Sequence, residues 1–261
     1  MDSNRDYYCQ GFIYNDAAPS SYSWHAKATG GYSRTSQEAK ENASIMASIL
    51  LNEGWSLKSV AAMLGNGAGE SGLNPWRWES DYVPTVAEFN GWTSSQAQSH
   101  GYGLFQFTPA NKYINSTNAN RYSTIGYSPN FSNSPGLPED GAGQTHYFKD
   151  TVADSWSHGL HDYYYDDFIA IGINIDAFYY ATYSDFASGT YNGRELSLAE
   201  LVGAFELCYE RPGDTYAASS YNTRVSNAEY WYQYFIDNPP GPTPGPVKRR
   251  KHRMPIWLYF V

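Results

Sequence analysis

The chain has 261 residues, enough for one core of roughly 150 to 220 residues with tails. Charged residues are only 16% and aromatics 17%, with 25 Tyr and 8 Trp, a supply of amphipathic faces that suits sugar clefts and interfaces as well as packing. The formal charge is −9, but before residue 248 there are 12 Lys and Arg against 26 Asp and Glu, a formal −14, which argues against a nucleic-acid grip by the body.

The start, MDSNRDYYCQ, has no basic region followed by an apolar run, so no ordinary signal peptide is expected, and no stretch is long and apolar enough to span a membrane. Cys9 and Cys208 do not make a disulfide framework, although one terminus-to-core bridge is open to them. Residues 1–34 are polar, aromatic and broken by Gly and Pro, and read as an irregular arm packed through Tyr7, Tyr8, Phe12 and Trp24. The first clear helix is expected from Thr35, with Thr35 and Glu38 as a capping box, Ala39, Ala43, Met46 and Leu50 as the core stripe, and Gly54 as the stop. Ser56 caps a second helix whose apolar face is Leu57, Val60, Ala61 and Leu64.

Gly65, Gly67 and Gly69 then follow. Each costs roughly 1 kcal/mol against Ala inside a helix, so either the helix breaks there or a close approach of backbone or ligand needs the missing side chains. Glu70 stands at the end of this run, and Asn74-Pro75 closes it. A carboxylate on a helix end, near aromatic rings, is a rigidly held candidate general acid. Residues 79–105 read as a loop with a small irregular sheet, after which Thr108-Pro109 opens a short helix through Tyr113 and Ile114.

The stretch 115–138 reads as loop, and weak helix signals run from Glu139 to Lys149. Asp162, Asp166 and Asp167 are calcium-ligand types, but the EF-hand order and its Gly are absent, so a solvated face is expected. Ser197 and Glu200 form another capping box, for a helix through Leu201, Val202, Phe205 and Cys208 that ends at ERPG. A last helix is expected over about Arg224 to Ile236. NPPGPTPGP makes residues 238–247 a stiff linker, and residues 248–261 are a basic cluster followed by a short apolar end, suited to contact with an anionic surface.

There is no G-x-S-x-G elbow, H-E-x-x-H, cysteine cluster or P-loop, and His100 has no partner His at ligand spacing. GESGLNP followed by GYGLFQFTP resembles the paired Glu-Ser and Gly-Leu-x-Gln motifs of the goose-type lysozyme and lytic transglycosylase superfamily. TSQEAKENA, MLGN, GYGLFQFTPA, YERPG and AEYWYQYF are similar, more narrowly, to the phage tail lysozyme family, and together they cover roughly residues 33–236.

That resemblance implies a mainly α (α+β) lysozyme-like fold: a helical bundle with a small β-sheet flanking a glycan cleft, over residues 35–237. It implies a muramidase that cuts the β-1,4 bond between N-acetylmuramic acid and N-acetylglucosamine, with no cofactor and no metal. Glu70 would be the catalytic acid with Ser71 beside it; Trp78, Tyr102 and Phe105 would shape subsites, and Gln106 would bond an acetamido group or a water. Glu210 would bond backbone at the cleft floor or act as a partner to Glu70. A second carboxylate is expected from Asp81, ahead of Glu88; a lytic transglycosylase, giving 1,6-anhydro products, would need none. A glycan-binding virion component without activity is the non-enzymatic alternative. The implied partners are bacterial peptidoglycan and other phage tail proteins through the termini, in the virion tail or after release to the cell wall.

Overall fold

The computed structural model describes residues 7–8, 24–27, 29–93, 96, 100–115 and 140–240. Cys9, Phe12, residues 116–139 and the chain from 241 onward, including most of the linker and all of the basic tail, lie outside the described residues.

The molecule is built around one helix. Helix α2, Leu57–Glu70, is capped by Ser56, whose hydroxyl accepts from the Ser59 N–H, and every residue from Ser59 to Gly67 is buried. A helix apolar on all sides must be covered on all sides. Helix α1, Gln37–Asn52, packs along it; its cap is Ser36, accepting from Ala39, one residue after the Thr35 expected from sequence. Two adjacent hydroxyl residues offered the cap, and Thr35 instead shares a hydrogen bond with Ser33.

The helix α2 does not break at its glycines. A Cβ on Gly65 would lie 2.7 Å from the carbonyl oxygen of Arg224 and from the Ala228 Cβ, so bare backbone lets the last helix cross there. That helix is longer than expected from sequence, running from Asp214 to Asp237. Its first ten residues are rich in Ser, Thr and Asn and poor in helix propensity; packing on α2 outweighs propensity.

Residues 24–27 pack against the helices. Trp24 and Ala26 are buried, and the buried Asn42 side chain accepts from the His25 N–H and donates to the His25 and Leu73 carbonyls. Strand β1, Tyr7–Tyr8, pairs antiparallel with strand β2, His25–Ala26, in a two-stranded sheet. The irregular sheet expected near residue 100 is two single bridges, Trp78 to Tyr102 and Tyr102 to Phe107.

The remaining elements are helix α3, Val86–Gly91; α4, Asp140–Ser155; α5, His161–Ala170; α6, Tyr183–Ser188; the hairpin strands β3, Thr190–Tyr191, and β4, Arg194–Glu195; and α7, Leu198–Phe205. The last helix is α8. The hairpin turns on Asn192-Gly193, both with positive φ, as a two-residue turn matched to strand twist requires. Helix α7 begins with the expected Ser197–Glu200 capping box. It runs on into one π-helical turn, Glu206–Glu210, where the Arg211 N–H reaches back to the Glu206 carbonyl. The fold is mainly α with small two-stranded sheets, and among the described residues no helix is long and apolar enough to cross a membrane.

Candidate active site

Helix α2 delivers Glu70 as its last residue, and the side chain keeps 23% of its surface exposed into a cleft of about 540 Å³. The opposite side of Glu70 meets Arg224 of α8, whose Nη2 lies 2.6 Å from Oε1. Arg224 is almost completely enclosed. Its Nη1 donates to Asn66 Oδ1 at 2.9 Å and its Nε lies 2.9 Å from Glu206 Oε1. Glu206 is buried on the π turn and also accepts from the Ser220 hydroxyl.

The same turn carries Tyr209 and Glu210 to the cleft wall. A π turn inserts one residue into the helical ladder and re-aims the side chains after it, a device frequent at functional sites. Glu210 borders the cleft, yet its Oε1 is enclosed and has no hydrogen-bond partner among the described residues. Burial pushes its carboxyl well above the usual range, and the nearby charge of Glu70 pushes the same way. Burial also raises Glu206, to about 7, against the pull of Arg224 and Ser220. Burial opposes the charge on Arg224, but the attraction of Glu206, Glu70 and Glu210 outweighs it and leaves the guanidinium above its ordinary value. One cation is therefore shared by three carboxyl groups, and burial raises two of them, Glu206 and Glu210.

The facing wall comes from the segment Arg77 to Ser80 and the turn Phe105 to Thr108, and Tyr147, Thr151 and Ser155 of α4 close the end. Gln106 holds its turn with positive φ; its Nε2 donates to the Arg77 and Gly103 carbonyls, tying the two strands of the wall together. Glu79 projects into the cleft and accepts from the Gly101 N–H at 2.8 Å. The loop bearing Gly103 and Leu104 is fixed from behind by Gln144, which accepts from the Leu104 N–H and donates to the Pro75 carbonyl.

Of the residues singled out from sequence, Glu70, Phe105, Gln106 and Glu210 border one cleft. Ser71 does not: it is buried and donates to the Leu104 carbonyl at 2.8 Å, so it locks the loop instead of meeting a ligand. Trp78 and Tyr102 are also fully buried, packed on each other at 4.7 Å beneath the cleft, and offer no surface to a sugar. Phe105 shows only a sliver, its ring stacked on Phe148 at 4.1 Å.

Asp81 and Glu88, the expected second carboxylates, both lie outside the Glu70 cleft. Asp81 turns away to accept from the Gly30 N–H and pair with Arg77. Glu88 sits at the start of α3, accepting from Thr85 and Tyr82, beside a separate hollow of about 480 Å³ next to Trp92 and His100. Besides Glu210, the acid that shares the cleft with Glu70 is Glu79. The sequence holds the signal that finds it: in Trp76-Arg77-Trp78-Glu79 the tryptophans point inward, so period-two alternation sends Arg77 and Glu79 to the other side. Arg224 carried no sequence signal of its role, because its partners are 154 residues upstream in Glu70 and 158 in Asn66. Cys208 is buried, its thiol directed at the Tyr179 carbonyl and raised to about 12 by burial, far from nucleophilic poise. Among the described residues no group of three or more His, Cys, Asp or Glu side chains is arranged to hold a metal ion.

Comparison with known proteins places this site in a family context. The family model described as phage tail lysozyme matches residues 41–235, which includes both walls of the cleft. Morphogenesis protein 1 of Bacillus phage B103 is 37% identical over 79 residues, 30% of this chain. The match spans 18% of that relative's own length.

Proposed function

From the premise that this chain belongs to the phage tail lysozyme family, we propose that it degrades peptidoglycan as a muramidase, cutting the β-1,4 bond between N-acetylmuramic acid and N-acetylglucosamine. Glu70 protonates the departing glycosidic oxygen. The observation that carries the reading is the Glu70 carboxyl at a buried helix end, exposed on one side to a polar cleft and gripped on the other by Arg224. Gln106 and Tyr209 lie where a saccharide chain would run, and Glu79 supplies the carboxylate on the far wall that a hydrolase needs to direct water or hold the developing positive charge. Peptidoglycan is the partner, and a place in the virion tail follows from the family. The second reading is a lytic transglycosylase, in which the muramyl 6-hydroxyl attacks internally and Glu79 is not needed.

Glu70→Gln tests the assignment. Neutral Gln is nearly isosteric and cannot donate the proton, so turbidity clearance of purified walls should be lost while the fold is kept. Clearance at the wild-type rate would overturn it. Mass spectrometry of the digest separates the two chemistries: one added water per cut marks hydrolysis, and anhydromuramic ends throughout mark transglycosylation.

A further inference from the structure

The guanidinium behind Glu70 is a built feature rather than a surface pairing. Arg224 reaches three residues on two elements with its three nitrogen atoms: Nη2 to Glu70 and Nη1 to Asn66 on α2, and Nε to Glu206 on the π turn. Ser220, one turn earlier on α8, donates to Glu206 and accepts from Arg224 Nε at 3.3 Å. A planar guanidinium held at this many points has one orientation available. Glu70 is less enclosed than its partner, so Arg224 is the fixed member and Glu70 the one being held.

Resting on the reading of Glu70 as the acid, we infer that Arg224, braced by Glu206 and Asn66, is a positioning residue that sets the Glu70 carboxyl at the cleft floor. Arg224 itself lies behind the wall and touches no substrate. It engages Oε1 of Glu70, so Oε2 is the oxygen assigned to the proton exchange. The nearby Glu210 belongs to the same cluster by charge, although no hydrogen bond links it to Arg224 among the described residues.

Arg224→Lys and Glu206→Gln test the inference on soluble glycan fragments, with Glu70→Gln assayed beside them. Lysine keeps the buried charge but is a compact ammonium without the fork, so it cannot satisfy Glu70, Asn66 and Glu206 together. The expected result is a folded protein whose kcat falls about 10- to 100-fold, with KM within about twofold of wild type, the signature of lost orientation and not lost binding. Glu206→Gln keeps the shape, leaves Glu70 as counter-ion to Arg224, and should lower kcat several-fold with KM again unchanged. Should Arg224→Lys fail to fold, Glu206→Gln decides alone. Wild-type kcat in a folded variant, or a loss confined to KM, overturns the inference while an inactive Glu70→Gln leaves the reading of Glu70 standing. An active Glu70→Gln overturns both.

Discussion

The crossing of α2 and α8 at Gly65 is where fold and site meet, and Gly65→Ala tests it. The added methyl carbon would sit 2.7 Å from the Ala228 Cβ, 2.8 Å from the Ala228 nitrogen and 2.7 Å from the Arg224 carbonyl oxygen. Carbon atoms in ordinary contact stand about 3.5 to 4.0 Å apart, and backbone cannot rotate aside, so α8 must retreat by on the order of 1 Å. Overpacking of this kind costs about 1–3 kcal/mol, while replacing Gly by Ala in a helix interior returns about 1 kcal/mol. Gly67→Ala is the matched control: its new carbon meets Leu73 at 3.5 Å and the Leu104 carbonyl at 3.8 Å, both ordinary contacts. The helix gain is common to the two variants and cancels, so Gly65→Ala should be less stable than Gly67→Ala by about 1–3 kcal/mol, or about 2–12 °C in Tm for a domain of this size. Urea unfolding of the pair measures the difference. Equal stability, or a more stable Gly65→Ala, would refute the claim that bare backbone is what lets α8 seat Arg224 against Glu70.

Two further outcomes are expected. Ser71→Ala removes the donor to the buried Leu104 carbonyl and should cost about 1–2 kcal/mol in denaturant unfolding, with KM little changed because Ser71 has no surface in the cleft; a large KM effect would return it to the binding machinery. Glu206 is raised by burial from 4.5 to about 7, so the folded state holds its proton more tightly than the unfolded chain does. Its contribution to stability is fully present below about pH 4.5 and is lost as pH rises towards 7, an amount of about 3 kcal/mol at ~1.4 kcal/mol per pH unit. Tm measured across that window should fall less steeply in Glu206→Gln than in the wild type, and parallel curves would disprove the assignment.

The parts of this fold legible in the sequence are those where local chemistry and packing agree. Ser56 and the Ser197–Glu200 box cap α2 and α7 as read, because a hydroxyl before an apolar-periodic run has one good use. The first half of α8 was illegible for the opposite reason: its stability comes from α2 and from Tyr221 packing on Phe168, contacts that no window of sequence contains. The Asn192-Gly193 hairpin carries its signal locally, an Asn-Gly pair that supplies both positive φ angles. Trp78 and Tyr102 show how motif proximity misleads. They flank the cleft residues in sequence, but both lie in the core; alternation about Trp78 gives the cleft to Arg77 and Glu79, and a positive-φ turn gives it Gln106. Asp81 and Glu88 lie outside the cleft, one bonded to the Gly30 backbone and one at the start of α3.

The carboxyl cluster behind Glu70 is costly by any packing standard. Breaking a buried ion pair is expensive, yet replacing the whole set by apolar side chains of similar volume is often neutral or stabilising. A core selected for stability alone has no need of Glu206, Glu210 and Arg224 at the junction of α2, the π turn and α8. Glu210 in the cleft wall and Glu206 behind it against Arg224, both raised by burial, fit a site that must keep one carboxyl oriented and ready to exchange a proton. The π turn fits the same logic. Removing one residue to restore a regular α-helix would rotate Tyr209 and Glu210 by about 100° away from the cleft, so the irregularity at the end of α7 is tied to where those two side chains face.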